Sequence, residues 1–174
     1  MKYYQVLPPE DDDPDVGVAY APEGVDALAH PKDPLDIAFT LKDGSFADFL
    51  MSDLGWRLFS DNASAIISSF ATQEDSLQWH TTRVQLAGES RTYSGIWFTR
   101  PADVLDSELT RYVSGTNHVI EPCFNGNRIA RHHVFTWEPE LSAAPIIVSE
   151  ALRDALLGSG CTGISFVSVK IAPE

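Results

Sequence analysis

Five histidines, two cysteines and a set of serines are the side chains of this 174-residue chain with chemistry to offer, and their spacing decides how much. His132 and His133 are adjacent, so on a strand they point to opposite faces and are poorly placed to ligate one metal together. His80 and His118 are isolated, and His30 sits beside Pro31. No His-Glu-x-x-His helix and no Cys-x-x-Cys pair occurs. The histidines therefore read as structural or surface groups, and no metal site is expected.

Two serines look at first like nucleophiles. Ser60 follows Leu58-Phe59 and precedes Asp61; Ser149 follows Ile147-Val148 and precedes Glu150. A nucleophile elbow needs glycine two residues before and after its serine, and those positions are Leu58 and Asn62, or Ile147 and Ala151. A simpler chemistry fits both. A serine oxygen at a helix start accepts from an orphan N–H, and an acid next to it suits the positive helix end. Ser60 and Ser149 are thus expected to be N-caps, and no catalytic residue is assigned.

The cysteines are no better placed. Cys123 lies between Pro122 and Phe124, and Cys161 follows Gly158-Ser159-Gly160, a helix end and not the helix start that activates a thiol. Two cysteines do not make a disulfide framework. The same glycine pair lacks the Lys-Ser/Thr of a phosphate loop. The acidic run Glu10-Asp11-Asp12-Asp13, then Asp15, has neither the sixth-position glycine nor the closing glutamate of a calcium loop. No cofactor is expected.

The elements that must position these residues can be read from periodicity. Tyr3 to Leu7 has strand character. Residues 8–34 hold six of the eleven prolines and the acidic run, which marks a long surface connection. Leu35, Ile37, Phe39 and Leu41 alternate as a half-buried strand, and residues 47–51 read as one helical turn. Ala63, Ile66, Ile67 and Phe70 form the stripe of a helix lying on a core. Strands are expected at 77–86 and 93–99. Residues 117–121 and 132–137 read as a strand pair around the turn-forming Asn125-Gly126-Asn127. After Ser149, Leu152, Ala155 and Leu156 face inward before a closing strand at 164–171. Along 77–86 and 164–171 the apolar phase slips, which a bulge or burial of both faces explains. The whole predicts a single α+β domain over 1–174, a mainly antiparallel sheet with two or three short helices packed on it.

Composition bounds the function. The net charge is −13, with 13 acids against 4 bases in residues 1–62 alone. Such a field repels nucleic acid and anionic lipid and draws in a basic partner. No apolar run approaches the roughly 20 residues that span a bilayer, and no signal peptide is evident, so a cytoplasmic location is expected. Of the four tryptophans, an exposed one beside acids would make an interface anchor.

From Trp56 onward the order of features resembles a family of bacterial immunity proteins encoded beside polymorphic and contact-delivered toxins. The family was first described from a myxobacterial gene and was formerly a domain of unknown function. The matching pieces are Trp56-Arg57-Leu58-Phe59-Ser60-Asp61, the strand around Tyr93 and Trp97, Val104-Leu105-Asp106, His133-Val134-Phe135, and Ile146-Ile147-Val148-Ser149-Glu150-Ala151-Leu152 with Gly160-Cys161-Thr162-Gly163-Ile164-Ser165-Phe166. The resemblance implies a non-catalytic inhibitor of a cognate toxin, and it transfers no catalytic residue. Outside the matched part, Asp11, Asp12, Asp13 and Asp15 are the candidate contacts to a toxin with a basic face. The other reading is a small hydrolase or ligand-binding domain with its pocket near Trp79, His80, His132 and His133. The sequence is silent on homo-oligomerisation.

Overall fold

Short runs rich in apolar residues supply most of the regular structure, and twelve strands result among the described residues. The computed structural model describes residues 2–9, 17–25, 37–138 and 144–173. Six strands close into a barrel in the order β2 (Val18–Tyr20), β3 (Ala38–Leu41), β6 (Leu77–Leu86), β7 (Glu89–Phe98), β5 (Arg57–Ser60) and β4 (Phe49–Ser52). Two of its seams, β3 with β6 and β2 with β4, are parallel, and the second closes the ring. The long β6–β7 hairpin pairs Leu77 with Phe98 through to Leu86 with Glu89 in unbroken register. Its turn, Ala87-Gly88, has φ of 49° and 87°, the pair of positive angles that matches hairpin twist.

Beside the barrel stands an antiparallel sheet ordered β10 (Val134–Phe135), β11 (Ile146–Ser149), β1 (Tyr3–Leu7) and β12 (Ser165–Ser168). Helices α1 (Asp61–Phe70) and α3 (Glu150–Gly158) lie against each other and share one apolar cluster with both sheets. That cluster joins Phe49, Phe59 and Phe98 of the barrel to Val6, Ile146 and Val148 of the sheet through Ile67, Leu152 and Leu156. The barrel interior is a second cluster, with Phe39, Trp56, Leu58, Val84 and Trp97. A third, under the far face of the sheet, gathers Tyr3, Val104, Phe124, Ile129, Phe135 and Ile147. Over it run a two-stranded ribbon, β8 (Arg111–Tyr112) with β9 (Val119–Glu121), and the short helix α2 (Gly126–Ile129).

The expectation of a sheet with helices packed on it needs correction, because the larger sheet is a closed barrel. Where the barrel meets the helices its strands are buried on both faces: Leu58 and Trp97 point inward while Phe59, Ile96 and Phe98 face the helices. This also explains the slipped phase of 77–86. No bulge is present; Leu77 and Trp79 serve the helix-side cluster and Val84 and Leu86 the barrel interior. The same holds after residue 164, where Ile164 and Phe166 join one cluster and Val169 and Ile171 another.

Three local expectations fail. Residues 47–51 are not a helical turn; Phe49–Ser52 is β4, with Phe49 and Leu50 buried on opposite sides. Residues 8–34 are not wholly connection, since Val18–Tyr20 is a barrel strand. The strand pair expected around Asn125 does not form: β9 pairs with β8, β10 pairs with β11, and Asn125 caps α2 by accepting from Arg128 N–H.

Gly163 shows how tightly barrel and C-terminal segment approach. It has φ of 70°, and a Cβ there would lie 2.5 Å from Ala47 Cβ and 2.7 Å from Phe49 O. Both conformation and space demand glycine. Gly163→Ala should cost about 2–4 kcal/mol, read as a lowered urea midpoint with unchanged slope.

Candidate functional site

Polar side chains inside a close-packed fold must find partners, and here they form two clamps. The first centres on Asp48, just before β4. Ser60 Oγ donates to Asp48 Oδ1 at 2.5 Å, while Thr162 N–H and Thr162 Oγ1 donate to Oδ2 at 2.9 and 3.2 Å. Ser60 Oγ also accepts from Ala63 N–H at 3.2 Å and so caps α1. One carboxylate thereby ties a barrel strand, a helix start and the segment after α3.

The second clamp centres on Asp75, whose side chain is fully buried in the single-turn 3-10 helix Gln73–Asp75. Its Oδ2 accepts from Thr72 N–H at 2.7 Å and from Thr72 Oγ1, and its Oδ1 lies 2.9 Å from His132 Nδ1. Tyr3 Oη donates to the carbonyls of Ile129 and His132 at 2.6 and 3.0 Å, fixing the same turn from the sheet. His133 faces the other way. Its Nδ1 is 3.0 Å from Ser149 Oγ, which also accepts from Leu152 N–H at 3.3 Å as the cap of α3. Among the described residues no carboxylate bonds the other nitrogen of the His133 ring, so the pair lacks the orienting group of a catalytic triad.

The four residues of the hydrolase reading are not gathered. Trp79 Nε1 donates to Ser68 Oγ and its ring packs on Phe59; His80 packs against Trp97; His132 and His133 belong to the separate contacts above. His132 lines a cleft with Arg100, Arg128 and Arg131, and that cleft contains none of the other three. Burial pushes both thiols up, Cys123 and Cys161 alike, which leaves them as protonated, unreactive groups. Among the described residues no three histidine, cysteine, aspartate or glutamate side chains form a metal cluster, and no helix is long and apolar enough to cross a membrane. Asp11, Asp12, Asp13 and Asp15 lie outside the described residues.

Val104-Leu105-Asp106, given no role from sequence, has a structural one. Val104 is buried in the third cluster, Leu105 bridges to Phe124, and Asp106 Oδ1 accepts from the N–H groups of Glu108 and Leu109. Thr110 Oγ1 then exchanges hydrogen bonds with the main chain of Cys123, at 3.0 and 3.2 Å. These bonds root the exposed ribbon in the core. Sequence reading missed Asp48 and Thr162, which pair across 114 residues, and Asp75, whose His132 contact is distant although its capping box with Thr72 is a local signal.

Fold and clamps together define an α+β barrel-and-sheet scaffold whose best-placed polar groups hold its elements to one another. Residues 5–171 match the Immunity protein family (Imm11), and the chain belongs to that family. No curated protein matches the sequence.

Two measurements follow from these contacts. Ser149→Ala should cost about 0.5–2 kcal/mol by chemical unfolding, the value of a cap, and Ser60→Ala should cost more, because it also removes the hydrogen bond to the Asp48 carboxylate. The second concerns alkali. Burial, aided by the nearby Asp75 charge, pushes the Tyr3 phenol up to about 12; burial does the same to Tyr93, whose Oη donates to Ala47 O, with Asp48 adding to the rise and Arg91 opposing it. A folded value above the ordinary one near 10 means the stability is complete below that pH and is lost as pH climbs toward 12. The loss should be about 2–3 kcal/mol per tyrosine, and Tyr93→Phe should remove half of the steepening seen in urea midpoints above about pH 10.

Proposed function

We propose that this protein binds and neutralises a cognate toxin by protein–protein contact, without catalysis, in the cell that makes both. The family match over residues 5–171 carries the reading. The charge of −13 supports a toxin with a basic face, because a field of that sign accelerates encounter with a cationic surface. Speed matters to an inhibitor whose target is lethal to its host. The location that goes with this role is the cytoplasm, and neither nucleic acid nor membrane is part of it.

The test is to co-express the protein with the C-terminal domain of a large toxin-like protein encoded beside it. The expected outcome is rescue of growth together with co-purification of the two chains. A toxic domain that kills equally with and without this protein overturns the reading. Within the same proposal, Asp11, Asp12, Asp13 and Asp15 act as steering charges. Replacing all four with Asn should slow association at low salt and flatten its dependence on ionic strength, with little change in dissociation. Stopped-flow association across a salt series reads both effects.

A further inference from the structure

Three clefts on the face built mainly by residues 100–138 adjoin one another through shared wall residues. The first, of about 450 Å³, is lined by Tyr112, Val119, Trp137 and Leu105. It adjoins a second of about 400 Å³ across Leu105, Tyr112 and Trp137, and that one adjoins a third of about 540 Å³ across Asp103 and Arg128. Taken together the three clefts make a groove-like run with an apolar end and a polar end. At the polar end stand Arg100, Arg128 and Arg131, a quarter of the twelve basic residues of an acidic chain.

The two ends differ in what they lack. Tyr112, which lines the apolar end, is 40% exposed, and Leu109, Val113 and Ile120, on or beside the same ribbon but outside the clefts, are each more than 40% exposed among the described residues; the ribbon pairs with neither main sheet. Apolar side chains concentrated in this way mark contact surfaces. Trp137 beside them is a residue type favoured in binding hot spots, and its shielded Nε1 donor has no acceptor among the described residues. At the polar end Arg128 pairs with Asp103 at 3.0 Å and Arg131 with Glu74 at 3.7 Å, in exposed ion pairs that another carboxylate readily displaces. Arg100 donates its Nε to Ser76 Oγ. Each guanidinium has five N–H donors, so each retains several for a ligand.

We infer that this groove is the surface that receives the toxin, and that its occupant is an extended toxin segment. That segment carries an aromatic or aliphatic side chain for the Leu105–Tyr112–Trp137 end and an Asp or Glu carboxylate for the three arginines. The inference rests on the immunity reading and adds the contact surface to it. The groove is held ready before binding: Ala102 N–H donates to Thr136 O at 2.7 Å, Asn125 N–H to Val104 O at 2.9 Å, and Asp106 N–H to Cys123 O at 2.8 Å. A surface fixed in this way loses little freedom when it is occupied.

The arginines give the test a sign. If overall charge alone governs binding, Arg128→Glu/Arg131→Glu makes the protein more acidic and tightens its grip on a basic toxin. If the groove receives a carboxylate, the same variant weakens it. Affinity is measured by titration calorimetry with the inactivated C-terminal toxin domain from the adjacent gene, using wild type, the double reversal, Tyr112→Ser/Val119→Ser, and Arg91→Glu on the barrel hairpin. All changes are at exposed or half-buried positions, and thermal unfolding confirms that each variant is folded. Both groove variants should raise Kd about tenfold or more, with Arg91→Glu near wild type. A wild type that binds, with groove variants unchanged or tighter, overturns the groove and leaves the immunity reading standing. A wild type that does not bind overturns both.

Discussion

The Asp48 carboxylate accepts hydrogen bonds from residues 12 and 114 positions away along the chain, and the rest of the fold is arranged around that junction. The barrel ends there, α1 starts there, and the chain leaving α3 is pinned there before entering the sheet. Hydrogen bonds to a charged group contribute about 1.5–3 kcal/mol each. The exposed ion pairs, such as Lys2–Glu150 and Arg91–Glu89, contribute about 0–1 kcal/mol. Of the polar contacts, then, the clamps outweigh the surface pairs, while the shared apolar cluster between α1, α3 and both sheets supplies the larger driving force.

Local chemistry was legible in the sequence wherever it was decided locally. The stripe Ala63, Ile66, Ile67, Phe70 sets a helix because period alone specifies which side faces the core; Ala63 and Ile67 are fully buried, and Ile66 and Phe70 pack at the edge. The strand at 77–86 was readable from its Trp, Thr and Val content although its apolar phase slips. Barrel closure was not, because it depends on parallel pairing between short segments such as 18–19 and 51–52, with no turn to announce it. Asn125 illustrates a true ambiguity: its side chain favours both turns and helix caps, and only the neighbours decide. The groove was hidden for another reason. Residues 101–117 have no clear period, and Arg100, Arg128 and Arg131 converge only after the loops fold.

Charge distribution gives the molecule two electrostatic scales. At long range it is an anion, and that field governs how fast a cationic partner arrives. At contact range the arginine end of the groove sets three guanidinium groups against the carboxylates of Asp103 and Glu74, a small local excess of positive charge, and over a few ångströms it is the nearby groups that dominate, since salt screens the distant ones beyond about 8 Å. A partner that is basic overall and places one acid in the groove satisfies both scales. A merely basic partner satisfies only the first, which makes the local inversion a source of discrimination.

The position of β1 has a consequence for how the chain is made. Residues 3–7 are synthesised before every other described strand, yet they lie between strands formed by residues 146–149 and 165–168. Both hydrogen-bonded edges of β1 therefore stay without these partners until residues 146–168 have emerged. At ordinary synthesis rates that delay is on the order of ten seconds or more. The barrel, complete by residue 98, is free to form during this time, and the sheet is the last part to assemble. The central strand of the sheet is thus made about 140 residues before the nearer of its two partners, so the sheet closes by late strands capturing an early one.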